Sequence, residues 1–144
     1  MRFKIDNIEL IEEFYYSTHI LGIVAPVKSY HFCWQLNQIL KLDFRTNGSL
    51  EIQLEKKNRK YFFNIYTYIE RNNSRKHYIY QNQNDGEYLL PELKHLDFLW
   101  LIQDEEFSLD ELKRLQIQIR EIKMVQLVSE LSLDIIKNKT HLIF

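Results

Sequence analysis

His95 and Asp97 flank Leu96, so on a strand both would point the same way and imitate a His–carboxylate pair. No Ser or Cys stands beside them to complete a nucleophilic relay, so a hydrogen-bonding role within the fold is expected. Cys33 is the only cysteine. As a nucleophile it would need a nearby base and an electropositive setting. Its neighbours Phe32 and Trp34 predict a packed thiol instead. His31 lies two residues away, about 200° around a helix, so the two would not share a metal. Glu92 and Asp97 could divide acid–base work. Separated by a turn and a strand start, they are expected to accept backbone N–H groups. Asp104-Glu105-Glu106 could hold a divalent cation, but it precedes a helix, where acidic residues are favoured by the dipole. Gly22, Gly48 and Gly86 are the only glycines, too few for a phosphate-binding loop or dinucleotide fingerprint. No catalytic residue, cofactor or metal site is assigned.

The elements that would position these groups alternate between strand and helix. Residues 2–5 read as a short edge strand and Tyr16 to Ala25 as a buried strand ended by Pro26. From Ser29, a plausible N-cap, the period becomes helical, with Tyr30, Cys33, Trp34, Leu36, Ile39 and Leu40 on one face. Asn47-Gly48 reads as a tight turn. A meander follows: Leu50 to Leu54, the loop Glu55–Lys60, the strand Tyr61 to Glu70, the loop Arg71–Lys76, the strand His77 to Gln81, and a turn at Asn84-Asp85-Gly86. The last third reads as a β-α-β unit. Asp97 to Ile102 is apolar on both faces and is expected to be central. Ser108 and Glu111 form a capping box for a helix burying Leu109, Leu112, Leu115, Ile119 and Ile122. Met124 to Leu131 is a strand, and Ser132 caps a short C-terminal helix. The expectation is a single α+β domain over residues 1–144: a largely antiparallel sheet with two main helices on one face, loosely ferredoxin-like.

Composition narrows the function classes. Aromatic residues make up 14% of the 144 residues, with nine Tyr, nine Phe and two Trp. Net charge is −1, which disfavours general polyanion binding. The charge is uneven, however. Residues 55–76 hold Lys56, Lys57, Arg59, Lys60, Arg71, Arg75 and Lys76 against two carboxylates, while the remainder has 12 basic and 18 acidic residues. One cysteine, no signal-like N-terminus and no long apolar run point to a cytoplasmic protein with no membrane partner.

In the strand Tyr61 to Glu70, one face carries Tyr61, Phe63, Ile65, Thr67 and Ile69, the other Phe62, Asn64, Tyr66, Tyr68 and Glu70. Tyr78 and Tyr80 share a face of the next strand. If the Ile-rich face meets the helices, Phe62, Tyr66, Tyr68, Tyr78 and Tyr80 become candidates for a patch covered by the N-terminal segment or a symmetric partner. A stacking platform for single-stranded nucleic acid is the second reading. Against it, the two basic loops lie roughly 30 Å apart along the strand. A small-ligand pocket at a sheet edge or dimer seam is the third.

Leu90-Pro91-Glu92-Leu93-Lys94-His95-Leu96-Asp97-Phe98, the Cys33-Trp34-x-Leu36-Asn37 stretch and the closing Lys137–Phe144 together resemble the bacterial IPExxxVDY family. Pro91, Glu92 and Asp97 match the motif; Leu90, Leu96 and Phe98 replace Ile, Val and Tyr. The resemblance implies a small protein with no established cofactor or catalytic residue. Physically, Pro91 fixes the chain before a buried strand and disfavours helix at Leu90. The expected function is a non-enzymatic protein-interaction or regulatory domain, self-associating as a homo-oligomer through a sheet face or edge. The alternatives are an RNA-associated accessory protein using the basic loops and a small-ligand-sensing regulatory domain.

Overall fold

The computed structural model describes residues 2–144, with side chains described from Ile8 onward. In chain order the elements are α1 (Arg2–Tyr15), β1 (Thr18–Val24), α2 (Ser29–Leu40), β2 (Arg45–Lys56), β3 (Arg59–Ile69), β4 (Lys76–Gln81), β5 (Gln83–Asn84), β6 (Glu87–Tyr88), β7 (Phe98–Gln103), α3 (Leu109–Arg120) and β8 (Leu127–Leu131). Short 3-10 turns cover Pro91–Leu93, Leu133–Ile135 and Lys139–Leu142. Six strands form one sheet in the order β2-β3-β4-β7-β1-β8, every pairing antiparallel. The chain is α+β.

β7 lies between β4 and β1, and Phe98 to Ile102 are all buried, as expected of an apolar central strand. The quartet β8-β1-β7-β4, with α2 and α3 as its crossovers, carries the split β-α-β plan. Strands β3 and β2 extend the sheet beyond β4, so the ferredoxin-like description holds only loosely.

Both sheet faces are covered. α2 and α3 pack over Leu21, Ile23, Ile79, Trp100 and Ile102. The other face, with Ile20, Phe63, Ile65, Tyr78, Tyr80, Leu99 and Leu101, is closed by the end of α1, the Leu89–Leu96 segment and Ile136 and Leu142 of the C-terminal tail. Trp100 and Tyr80, on opposite faces, are both fully buried.

Several local expectations change. Residues 2–5 belong to α1 rather than an edge strand. Ile8, Ile11 and Phe14/Tyr15 recur at three- and four-residue steps, which is helical spacing, and Ile11, Phe14 and Tyr15 pack on the second face. α2 buries Cys33 and Leu36 as predicted, but Phe32 joins them, whereas Tyr30, Trp34 and Ile39, predicted on the same face, are exposed. The ring of Phe32 stacks on Phe98 at 4.6 Å. Ser29 does not cap α2; Lys28 occupies that position, and Ser29 Oγ instead bonds Tyr66 Oη at 2.9 Å.

Asn47-Gly48 sits inside β2, where the register with β3 shifts between Thr46 and Glu51. The Asn47 carboxamide takes up the Ser49 N–H locally, which favours a bulge over a chain reversal. The true reversal is Lys57-Asn58, both at positive φ, a pair that suits the twist of a two-residue hairpin. Ser108 accepts the Glu111 N–H at the start of α3, and Ser132 accepts the Asp134 N–H in the tail. Leu109, predicted on the buried stripe, is exposed.

Candidate functional site

The five aromatic candidates do not share a surface. Tyr66 and Tyr68 face α2 and α3, while Tyr78 and Tyr80 face the tail. Tyr66 and Tyr78 are buried, Tyr80 is fully so, and Phe62 alone is 41% exposed. The assumption that the Ile-rich face meets the helices is reversed: Tyr61, Phe63 and Ile65 lie under the tail side. Tyr80 Oη donates to Leu142 O at 2.7 Å and Tyr15 Oη to Lys139 O at 2.7 Å. Burial raises the Tyr66, Tyr78 and Tyr80 hydroxyls above their ordinary range. These rings are core, and their polar tips tie down backbone.

The basic residues are also largely spent. Lys56 and Lys57 reach Glu87 at 3.4 and 3.9 Å, and Arg59 pairs with Asp85. Arg75 is half-buried and meets Asp104 at 2.7 Å, Glu111 at 2.9 Å and Glu70 at 3.8 Å. Lys60, Arg71 and Lys76 are exposed.

The Pro91–Asp97 motif is a joint. Glu92 Oε2 accepts the Lys137 and Asn138 N–H groups at 2.7 and 2.8 Å, and Oε1 accepts Asn138 Nδ2 at 2.8 Å. Burial would raise the Glu92 carboxyl, but these donors outweigh it and hold it below the ordinary range. Asp97 Oδ2 accepts the Ala25 N–H at 2.8 Å, binding β7 to the end of β1, and it does not engage the exposed His95. Between them the fully buried Asn82 donates to Leu93 O and Leu96 O at 3.0 and 2.9 Å and accepts from Leu90 N at 2.9 Å. Asn82 carried no sequence signal, because each of its partners is a backbone group.

A second cluster escaped the sequence reading altogether. His77 is buried beneath α3. Its Nδ1 accepts from Trp100 Nε1 at 3.1 Å and its Nε2 meets Glu70 Oε2 at 2.6 Å. The indole can only donate, so Nδ1 is the acceptor and the ring proton sits on Nε2, shared with Glu70. Burial lowers the His77 pKa despite Glu70. With both nitrogens occupied, the imidazole has none free to take a proton from a substrate. Asp104 is spent on Arg75 and on the Glu106 N–H, and the Arg75 hydrogen bond holds its carboxyl low. Cys33 is buried, which pushes its thiol up, away from the reactive thiolate.

Two open features bear most on function. A cleft of about 680 Å³ lies between the start of α2 and the β4–β5 region, lined by Lys28, Ser29, Asn64, Gln81, Asn84 and Asp97 among others. The other is β8, an edge strand paired only with β1. At the opposite edge, β2 carries a bulge, Gly48 and the charges Arg45, Glu51, Glu55 and Lys56, devices that blunt strand addition. β8 reads Leu-Val-Ser-Glu-Leu, with one charge and neither Gly nor Pro. Among the described residues no three His, Cys, Asp or Glu side chains converge as a metal cage, and no helix is long and apolar enough to cross a membrane.

No protein-family model, curated protein or solved structure matches this chain.

Proposed function

We propose that this chain is a non-enzymatic interaction or regulatory domain that self-associates through a sheet edge rather than a sheet face. The observation that carries this reading is the asymmetry of the sheet boundary. Both faces are filled with side chains of the same chain, and β2 is bulged and charged, whereas β8 offers backbone groups beside apolar side chains. Against an enzyme stand the carboxylates and imidazole that could do acid–base work: Glu92, Asp97, Asp104 and His77 are each engaged in internal hydrogen bonds.

The resemblance over Leu90–Phe98 is our ground for grouping the chain with the IPExxxVDY proteins, although no family model matches it. Their motif then acts as the joint between the central strand and the tail. An RNA-associated role draws on little, since Lys56, Lys57, Arg59 and Arg75 are paired with carboxylates of the same chain. The cleft at the start of α2 keeps a small-ligand-sensing role as the second reading.

The test is molar mass in solution, by light scattering across a dilution series, against the 17.7 kDa of one chain. A mass of twice that value, falling on dilution, is expected. A single-chain mass at every concentration would remove self-association.

A further inference from the structure

Resting on that reading, we infer that the occupant of the β8 edge is β8 of a second copy, paired antiparallel about a two-fold axis at Ser129. Backbone direction decides which residues are available. Ile23 O accepts the Asp97 N–H on the β7 side, and Val24 O accepts the Gln126 N–H on the β8 side. Polarity alternates along a strand, so Gly22 also addresses β8, and its partner Ser129 addresses β1. Val128 and Glu130 therefore turn their N–H and C=O groups outward.

A two-fold at Ser129 sets Val128 opposite the partner's Glu130 and Glu130 opposite the partner's Val128. Those are the outward residues, and each pair can exchange both backbone hydrogen bonds. Leu127 then faces the partner's Leu131 across the other side of the sheet. Neighbouring registers fail for stated reasons. Moving the axis to Glu130 sets two carboxylates against each other. Moving it to Val128 requires the Gln126 N–H, which Val24 O already holds.

The strand alone is too small for a stable interface, which typically covers about 800 Å² per partner. Helix α3 supplies the rest. Glu111, Arg114 and Gln118 border the cavity over His77 and Tyr68, on the β4 side. At about 100° per residue the opposite flank carries Leu109, Lys113, Gln116 and Arg120, turned toward β8. α3 already contacts β8 within the chain, so a two-fold axis beside β8 brings the two copies of α3 toward each other across it. Leu109 is 60% exposed in the single chain and would be covered there.

Charge fits as well. Val128 packs on the helix side of the sheet, and Glu130, two residues on, shares that side. α3 leads from β7 back to β8, so its C-terminal Arg120 lies near the Leu127–Val128 end. That is where the partner's Glu130 arrives. Neither Arg120 nor Glu130 has an ion-pair partner among the described residues.

The experiment combines cross-linking with charge exchange in the full chain. Facing Ser129 residues form a non-hydrogen-bonded pair with Cα atoms about 4.5 Å apart, within disulfide reach. Ser129→Cys is expected to give a covalent dimer under mild oxidation. Leu127→Cys, which faces the partner's Leu131, is expected to give none, and the buried Cys33 none in the parent chain. Glu130→Arg is expected to weaken association about tenfold, and adding Arg120→Glu to restore it. A dimer that neither cross-links at Ser129→Cys nor responds to Glu130→Arg overturns this register while leaving self-association standing. A chain that stays single at every concentration overturns both.

Discussion

Over one side of the sheet, α2 and α3 lay helical stripes on Ile23, Trp100 and Ile102; over the other, the same strands are closed by the end of α1, 3-10 turns and a tail. The regular side satisfies most of its backbone within helices and strands, and its polar side chains pair in the His77–Trp100–Glu70–Arg75 cluster, at Ser29–Tyr66 and at Asn37. The irregular side must find a partner for many backbone groups one at a time. Asn82, Glu92, Tyr15 and Tyr80 do so with side-chain atoms. Coverage by helix distributes its cost, whereas coverage by loops concentrates it in a few residues.

That contrast predicts where single substitutions hurt most. Asn82→Ala strips partners from Leu90 N, Leu93 O and Leu96 O at once, in a fully buried place. The expected loss is about 3–5 kcal/mol, read by urea denaturation. A loss below about 1 kcal/mol would mean that loop coverage is not concentrated in Asn82.

Glu92→Gln keeps the shape but removes the charge that strengthens three hydrogen bonds. It should cost about 1–2 kcal/mol. Amide exchange should quicken at Lys137 and Asn138 and stay unchanged through α3. Equal acceleration in both regions would dissolve the distinction between the two sides. Tyr80→Phe leaves Leu142 O without its donor and should cost about 1 kcal/mol, with faster exchange confined to the tail.

Mild acid should separate the sides most finely. Burial sets His77 below its ordinary 6.5, so between the two values the unfolded chain binds more protons than the folded one. This contribution is complete above about pH 6.5 and is lost as pH falls through the lower, folded value. Protonation would set an N–H at Nδ1 against the Trp100 N–H. Glu92 is likewise lowered, but from 4.5, so the tail side gives way only in stronger acid. A stability profile that stays flat from pH 7 to 5, or that keeps its slope in His77→Gln, would remove His77 as the first group to titrate.

How far the sequence revealed these regions follows from the range of the interactions. α3 was legible because Ser108 and Glu111 are three residues apart and its stripe holds one phase. α2 was legible as a helix and, through Cys33 and Leu36, in part of its buried face. Apolar residues run nearly all around it, so periodicity could not separate Tyr30, Trp34 and Ile39 from Phe32. Alternation correctly divided Tyr61–Glu70 into two faces. It could not say which face the helices cover, since the other cover comes from residues 89–96 and 133–144, which have no repeat to read. α1 was mistaken because four residues of Arg-Phe-Lys-Ile alternate as a strand would. The His77 cluster draws on positions 70, 75, 100, 104 and 111, and only the fold brings those together.

The dependence of the second face on residues 136–142 bears on how the chain is made. Synthesis is vectorial, and earlier segments collapse first. Phe63, Tyr80 and Leu99 are translated long before Leu142, whose carbonyl receives the Tyr80 hydroxyl. During that interval the nascent sheet has its helix side available but carries an uncovered aromatic surface on the reverse. At about 5–20 residues per second that surface stays incompletely covered for seconds, until Ile136 and Leu142 are free to close it.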